Sequence, residues 1–190
     1  MIGDMVVVSG LPRSGTSMMM RMLQAGGLHL LTDGERAADQ DNPTGYHEYA
    51  PVKRLAEDDS WVPEARGKVV KVVSRLLYEL PEDYSYDVVF MQRDIREILA
   101  SQEVMLARMG TAVAASEQEQ LRLRFERHLV ELEQWLAQRG SFRVLQVAFA
   151  RVHEDALAVV SRVGDFLGEQ LDARAMAEAV DESLYRQRAK

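Results

Sequence analysis

The 190-residue sequence contains no cysteine, which excludes a disulfide framework and any thiolate-ligated metal site. It has no apolar run of the length needed to cross a bilayer, so no membrane partner is expected. Its opening residues carry Asp4 where an export signal would carry lysine or arginine, so no signal peptide is expected either. Basic charge is scarce: 23 Lys and Arg stand against 30 Asp and Glu, a formal net charge of −7. A nucleic-acid backbone binds through a basic face and is not an expected partner. The four histidines (His29, His47, His128, His153) show no ligand spacing, and no metal is expected. These absences leave a cytoplasmic protein with a small-molecule ligand. An acidic chain can still hold a small anion with a helix N-terminus and a few arginines.

A hydrophobic fraction of 47% over this length fits one compact domain, residues 1–190. Four short β-branched runs read as buried strands: 5–9 (MVVVS), 68–73 (KVVKVV), 88–92 (VVFMQ) and 143–148 (RVLQVA). Helical patterns fall at 16–24, 96–109, 117–139, 156–167 and 173–180. The 117–139 pattern places Leu121, Phe125, Leu129, Leu132 and Leu136 on one face. Strands alternating with helices predict an α/β fold, with a central parallel sheet of about four or five strands and helices on both faces. The polar segment 32–49 (TDGERAADQDNPTGYHEY) interrupts the alternation, and a loop of this kind is expected to lie over a ligand.

The first strand runs through Gly10-Leu11-Pro12-Arg13-Ser14-Gly15-Thr16-Ser17 into a helix. That context suits a phosphate loop: glycines let the backbone approach an anion, and the helix start adds positive potential. Gly10 and Gly15 keep Walker A spacing, but Thr16 stands at the lysine position and Arg13 supplies the cation. The fold expected is thus a single-domain, P-loop-type three-layer sandwich. After the third strand comes Arg93, with Ser101 eight residues on along a helix. An arginine leaving the C-terminal end of a strand stands where open α/β sheets bind ligands, and its fork suits a phosphate.

At these residues the chain resembles the sulfotransferase superfamily. Pro12-Arg13-Ser14-Gly15-Thr16-Ser17 is similar to that family's 5′-phosphosulfate loop. The resemblance implies that Arg13, Ser14, Gly15, Thr16 and Ser17 surround the phosphosulfate of the donor PAPS (3′-phosphoadenosine-5′-phosphosulfate; its product is PAP). It also implies that Arg93 and Ser101 hold the 3′-phosphate. The segments 71–81, ending in Leu80-Pro81, and 143–168, ending in Phe166-Leu167-Gly168, resemble further family landmarks. Asn42-Pro43-Thr44-Gly45-Tyr46-His47-Glu48 resembles a loop of bacterial members. Phe149-Ala150 departs from the family's Tyr-Glu pair, which weakens an adenine-stacking role for Phe149. Arg186 and Arg188 read as a solvated basic tail.

The chemistry this implies is transfer of a sulfuryl group to a hydroxyl or amine of a small molecule. Arg13 would neutralise the leaving oxygen, and Lys71 would orient donor or acceptor. Glu48 is the first candidate for the base, with Glu35, Asp33 and His47 competing. Cytosolic members use a histidine just after the second strand, where this chain reads Val73-Ser74. The 32–49 loop and the Trp61 region are expected to shape the acceptor pocket. Two other readings stand beside this one: a P-loop kinase using ATP and Mg²⁺, and a PAP-binding module without turnover. A homodimer stays open.

Overall fold

The computed structural model of the protein describes residues 3–35, 38–39, 42, 45–108, 110–111 and 114–188. Pro43 and Thr44 of the loop, and Met109 at the end of one expected helix, lie outside the described residues. Five strands form one sheet: β1 (Met5–Gly10), β2 (Leu30–Leu31), β3 (Val69–Lys71), β4 (Tyr86–Gln92) and β5 (Phe142–Ala148). Their order is β2-β3-β1-β4-β5 and all pairings are parallel. Continuous apolar strands are what a parallel sheet covered on both faces requires. The helices are α1 (Thr16–Ala25), α2 (Ile95–Arg108), α3 (Ala115–Ala137), α4 (Phe149–Glu154), α5 (Ala156–Leu167) and α6 (Ala173–Glu178).

Alternation along the strands divides the core into two layers. Met5 and Val7 of β1, with Val88 and Phe90 of β4, pack against Leu132 and Leu136 of α3 and against Trp61 and Leu77. Val8, Val69, Val89 and Met91 face the other way, onto Met19, Met20 and Leu23 of α1 and Val159, Val163 and Leu167 of α5. Local signals end the helices where the sequence supplies them. Asp155 caps α5 by accepting from the Ala158 amide at 3.0 Å, and Gly168 closes it in the left-handed region (φ 65°).

The observed β3 is shorter than the 68–73 run, although the Val72 amide still donates to the Val8 carbonyl at 3.0 Å. Beyond Val72 the backbone leaves the sheet for a 3-10 turn over Ser74–Glu79. Besides 3-10 turns, two elements were not expected: β2, which ends just before the polar segment 32–49, and α4, which follows β5 without a break. Trp61 is a correction. It is buried in the core against the edge of Tyr49, with ring centroids 5.7 Å apart, and does not line the cleft described next.

Candidate active site

The register of the sheet builds the site. Gly10 is paired with Met91, and Val8 with both Val89 and Lys71, so β1, β3 and β4 all end along one edge. A cleft of about 300 Å³ opens there, at the C-terminal ends of the strands. Arg13, Gly15, Thr16, Ser17, Glu48, Lys71, Arg93 and Ser101 all line it.

The loop itself is tightly constrained. Gly10 (φ 149°) and Gly15 (φ 101°) adopt backbone conformations that favour glycine, and a Cβ on Gly15 would lie 2.5 Å from the Phe149 ring. Arg13 also sits in the left-handed region (φ 71°), strain of a kind that collects at functional sites. Ser14 points inward: it is fully buried, and its amide donates to the Leu11 carbonyl at 3.1 Å. Gly15 opens α1 without a side-chain cap, so the first amides of the helix are left for a ligand.

Two motifs that lie far apart in the sequence are bound together. Arg13 Nε donates to Ser101 Oγ at 3.0 Å, and Arg93 Nη1 donates to the Arg13 carbonyl at 3.1 Å. Arg93 is anchored further by Glu97, whose Oε2 accepts from Nε at 2.9 Å, both side chains being buried. Its guanidinium lies 4.3 Å from the Phe149 ring centroid, which fixes its plane. Burial also accounts for Phe149: as the first residue of α4 it forms a wall of the cleft beneath Gly15 and Arg93.

Arg186 and Arg188 are exposed, as a solvated tail requires, but the segment that carries them packs back onto the site. Arg93 Nη2 donates to the Gln187 carbonyl at 3.0 Å, and Tyr185 Oη donates to Glu97 Oε1 at 3.0 Å. Burial, with Glu97 beside it, raises the Tyr185 phenol above its ordinary value. Arg188 lies over the Tyr185 ring at 4.6 Å, and Arg186 lines the cleft.

On the opposite wall Lys71, whose side chain is only 8% exposed, donates to the Tyr46 carbonyl at 2.9 Å and to Ser17 Oγ at 3.2 Å. A lysine at a strand end usually points to solvent, but here the loop closes over it. Glu48 lies 3.8 Å from Lys71 Nζ and 3.1 Å from Lys53 Nζ. Asn42 Nδ2 reaches Ser17 Oγ at 3.0 Å, tying the polar loop to α1.

The competing bases stand elsewhere. Asp33 accepts from the amides of Ala50 and Glu35, which pull its carboxyl below the usual range. Neither Asp33 nor Glu35 lines the cleft. His47 takes a left-handed backbone (φ 49°) beside Glu48. A histidine does reach the position after β3, from an unexpected quarter: His128 of α3 places Nε2 2.9 Å from the buried Ser74 Oγ. Burial and nearby Arg75 hold His128 below its usual value, so it is neutral at neutral pH. Neither Ser74 nor His128 lines the cleft.

Among the described residues no group of three or more His, Asp or Glu is arranged to hold a metal ion. No helix among them is long and apolar enough to cross a membrane.

A parallel α/β sheet with a glycine loop and convergent arginines at its carboxyl edge defines a domain of the P-loop type. The family model for the sulfotransferase domain matches residues 3–188, and the chain belongs to that family. Comparison with curated proteins gives no sequence match. Among solved structures the chain is similar to the sulfotransferase domain of a Synechococcus olefin synthase. The TM-score is 0.55 at 15% identity, over 96% of this chain and 78% of that one. It is similar also to a sulfotransferase from Mycobacterium tuberculosis, with a TM-score of 0.58 at 16% identity over 97% and 74% of the two chains. A third is retinol dehydratase, solved with androsterone and the inactive cofactor PAP. There the TM-score is 0.50 at 16% identity, over 93% of this chain and 63% of that one.

Proposed function

We propose that the protein is a PAPS-dependent sulfotransferase acting on a hydroxyl or amine of a small molecule. The observation that carries this reading is the convergence of the 13–17 loop, Arg93, Ser101, Lys71 and Glu48 on one cleft. The fit of the residues to PAPS rests on the loop. Its uncapped helix start and single cation suit a phosphosulfate rather than a Mg²⁺-bound triphosphate. Arg93 and Ser101 would take the 3′-phosphate, Arg93 exchanging a carbonyl contact for a charged one.

When bound, PAPS supplies an activated sulfuryl group. In the transfer the bond from sulfur to the bridging oxygen breaks, and a bond from the acceptor atom to sulfur forms. Arg13 places positive charge where the leaving oxygen develops its negative charge, assisted by the amides of the loop. Glu48 takes the proton from the acceptor. Lys71 fixes that wall by holding Ser17 and the Tyr46 carbonyl together.

The reading is tested by thermal shift. PAP at about 100 times its Kd should raise the melting temperature by roughly 5–10 °C, and ATP with Mg²⁺ should not. Stabilisation by ATP–Mg²⁺ and none by PAP would replace it with the kinase reading.

A further inference from the structure

Arg21 is a cation of the cleft that the chemistry above does not use. Arg21 lies on α1 one turn beyond Ser17, and both side chains line the cleft. Its Nε and Nη2 are fully buried and have no hydrogen-bond partner among the described residues. Those two nitrogens form one edge of the guanidinium, the side-on fork that matches two oxygens of a phosphate, sulfate or carboxylate. Burial lowers its pKa, yet a guanidinium stays charged in a protein.

Asp181 acts on Arg21 electrostatically without a hydrogen bond to its Nε or Nη2, and one oxygen of its carboxylate serves as a cap. Oδ1 accepts from the Ser183 amide at 2.9 Å and from Ser183 Oγ at 2.6 Å. Arg93 offers the contrast, because its three nitrogens already donate to protein acceptors. A buried cation with an open fork is costly to keep, and it is explained when a ligand completes it.

A second group in the cleft has the same character. His153 lines it with both ring nitrogens buried and without partners among the described residues. It packs edge-on to Phe149 with centroids 4.7 Å apart. Burial and Arg188 hold its pKa down, so the ring is neutral and offers one N–H.

From this pair we infer that Arg21, with His153 as a further donor, forms an oxyanion subsite of the cleft separate from the 13–17 loop. It takes a phosphate, sulfate or carboxylate group of a ligand. The inference rests on the sulfotransferase reading only for the source of that group, either the donor's 3′-phosphate or an acidic group on the acceptor.

Calorimetry with wild type and Arg21→Met separates the sources. The titrants are PAP, AMP (which lacks the 3′-phosphate) and inorganic sulfate added to PAP-saturated protein at constant ionic strength. A loss of about 10- to 150-fold in PAP affinity with AMP unchanged assigns the 3′-phosphate. Unchanged PAP and AMP affinities, with saturable sulfate binding lost in the variant, assign an acidic acceptor. No change with any of the three overturns the inference, and so does an equal loss for PAP and AMP. Arg21→Lys keeps the charge without the fork; its affinities should be intermediate, which provides the test if the methionine variant does not fold. Failure of wild type to bind PAP would sink the sulfotransferase reading, while sulfate titrated into the free protein and Arg21→Met still decides the subsite.

Discussion

Alanine at position 13 is expected to lower PAP affinity by about 10- to 100-fold and to slow turnover by a further ~10²–10³-fold. The two losses have one origin. The guanidinium meets the charge of the bound donor, and it meets a larger charge on the leaving oxygen as the bond to sulfur breaks. Little stability should be lost. The Arg93 bond to residue 13 goes to the backbone carbonyl, which alanine keeps, and the left-handed backbone strains both residues alike. The contact from Arg13 Nε to Ser101 disappears. Arg13→Lys should recover part of the affinity and less of the rate, because an ammonium keeps the charge without the fork. Calorimetry with PAP and single-turnover assays with labelled PAPS check the two halves separately. Wild-type turnover in Arg13→Ala would remove the residue from the chemistry.

Substituting glutamine for Glu48 should depress turnover by ~10²–10⁴-fold while leaving PAP binding nearly intact. The carboxylate lines the cleft at the wall away from Arg93, so its loss removes the proposed proton acceptor and no proposed donor contact. Lys71 keeps the Tyr46 carbonyl and Ser17 Oγ in the variant, which holds the wall in place. An acceptor must first be found by screening phenols, sugars and amines with labelled PAPS. Wild-type turnover in Glu48→Gln would place the base elsewhere. Asp33 and Glu35 are then poor replacements, since both stand outside the cleft.

Much of this architecture was legible in the residues. The runs around Val7 and Val89 read as strands because a strand buried on both faces has no polar side to interrupt it. The loop around Arg13 and the Arg93–Ser101 spacing were legible because each carries its chemistry within a few residues. Short elements were not. Leu30–Leu31 is a strand only because β3 supplies its partner, and the six residues of α4 are too few to show a period.

Contacts between remote segments were hidden as well. Nothing local to Tyr185 or Gln187 tells that they fold back onto Glu97 and Arg93, about ninety residues earlier. The Arg93–Glu97 pair itself had a signal, an opposite-charge pair at helical spacing that could have been read as an anchor. His128 had none, since its approach to Ser74 depends on how α3 crosses the sheet. The open fork of Arg21 is likewise a property of burial, which its place in a run of methionines did not disclose.

The central claim is that the cleft binds the bisphosphorylated nucleotide of PAPS, and calorimetric titration of PAP into wild type and Arg93→Ala tests it most directly. Each protein is first shown to be folded by its melting curve, because buried Glu97 loses its ion pair with Arg93 in the variant. The prediction is saturable one-to-one binding to wild type, weakened in Arg93→Ala by about 2–3 kcal/mol, or roughly 30- to 150-fold. Absence of binding to wild type, or equal affinity in a folded Arg93→Ala, would contradict it.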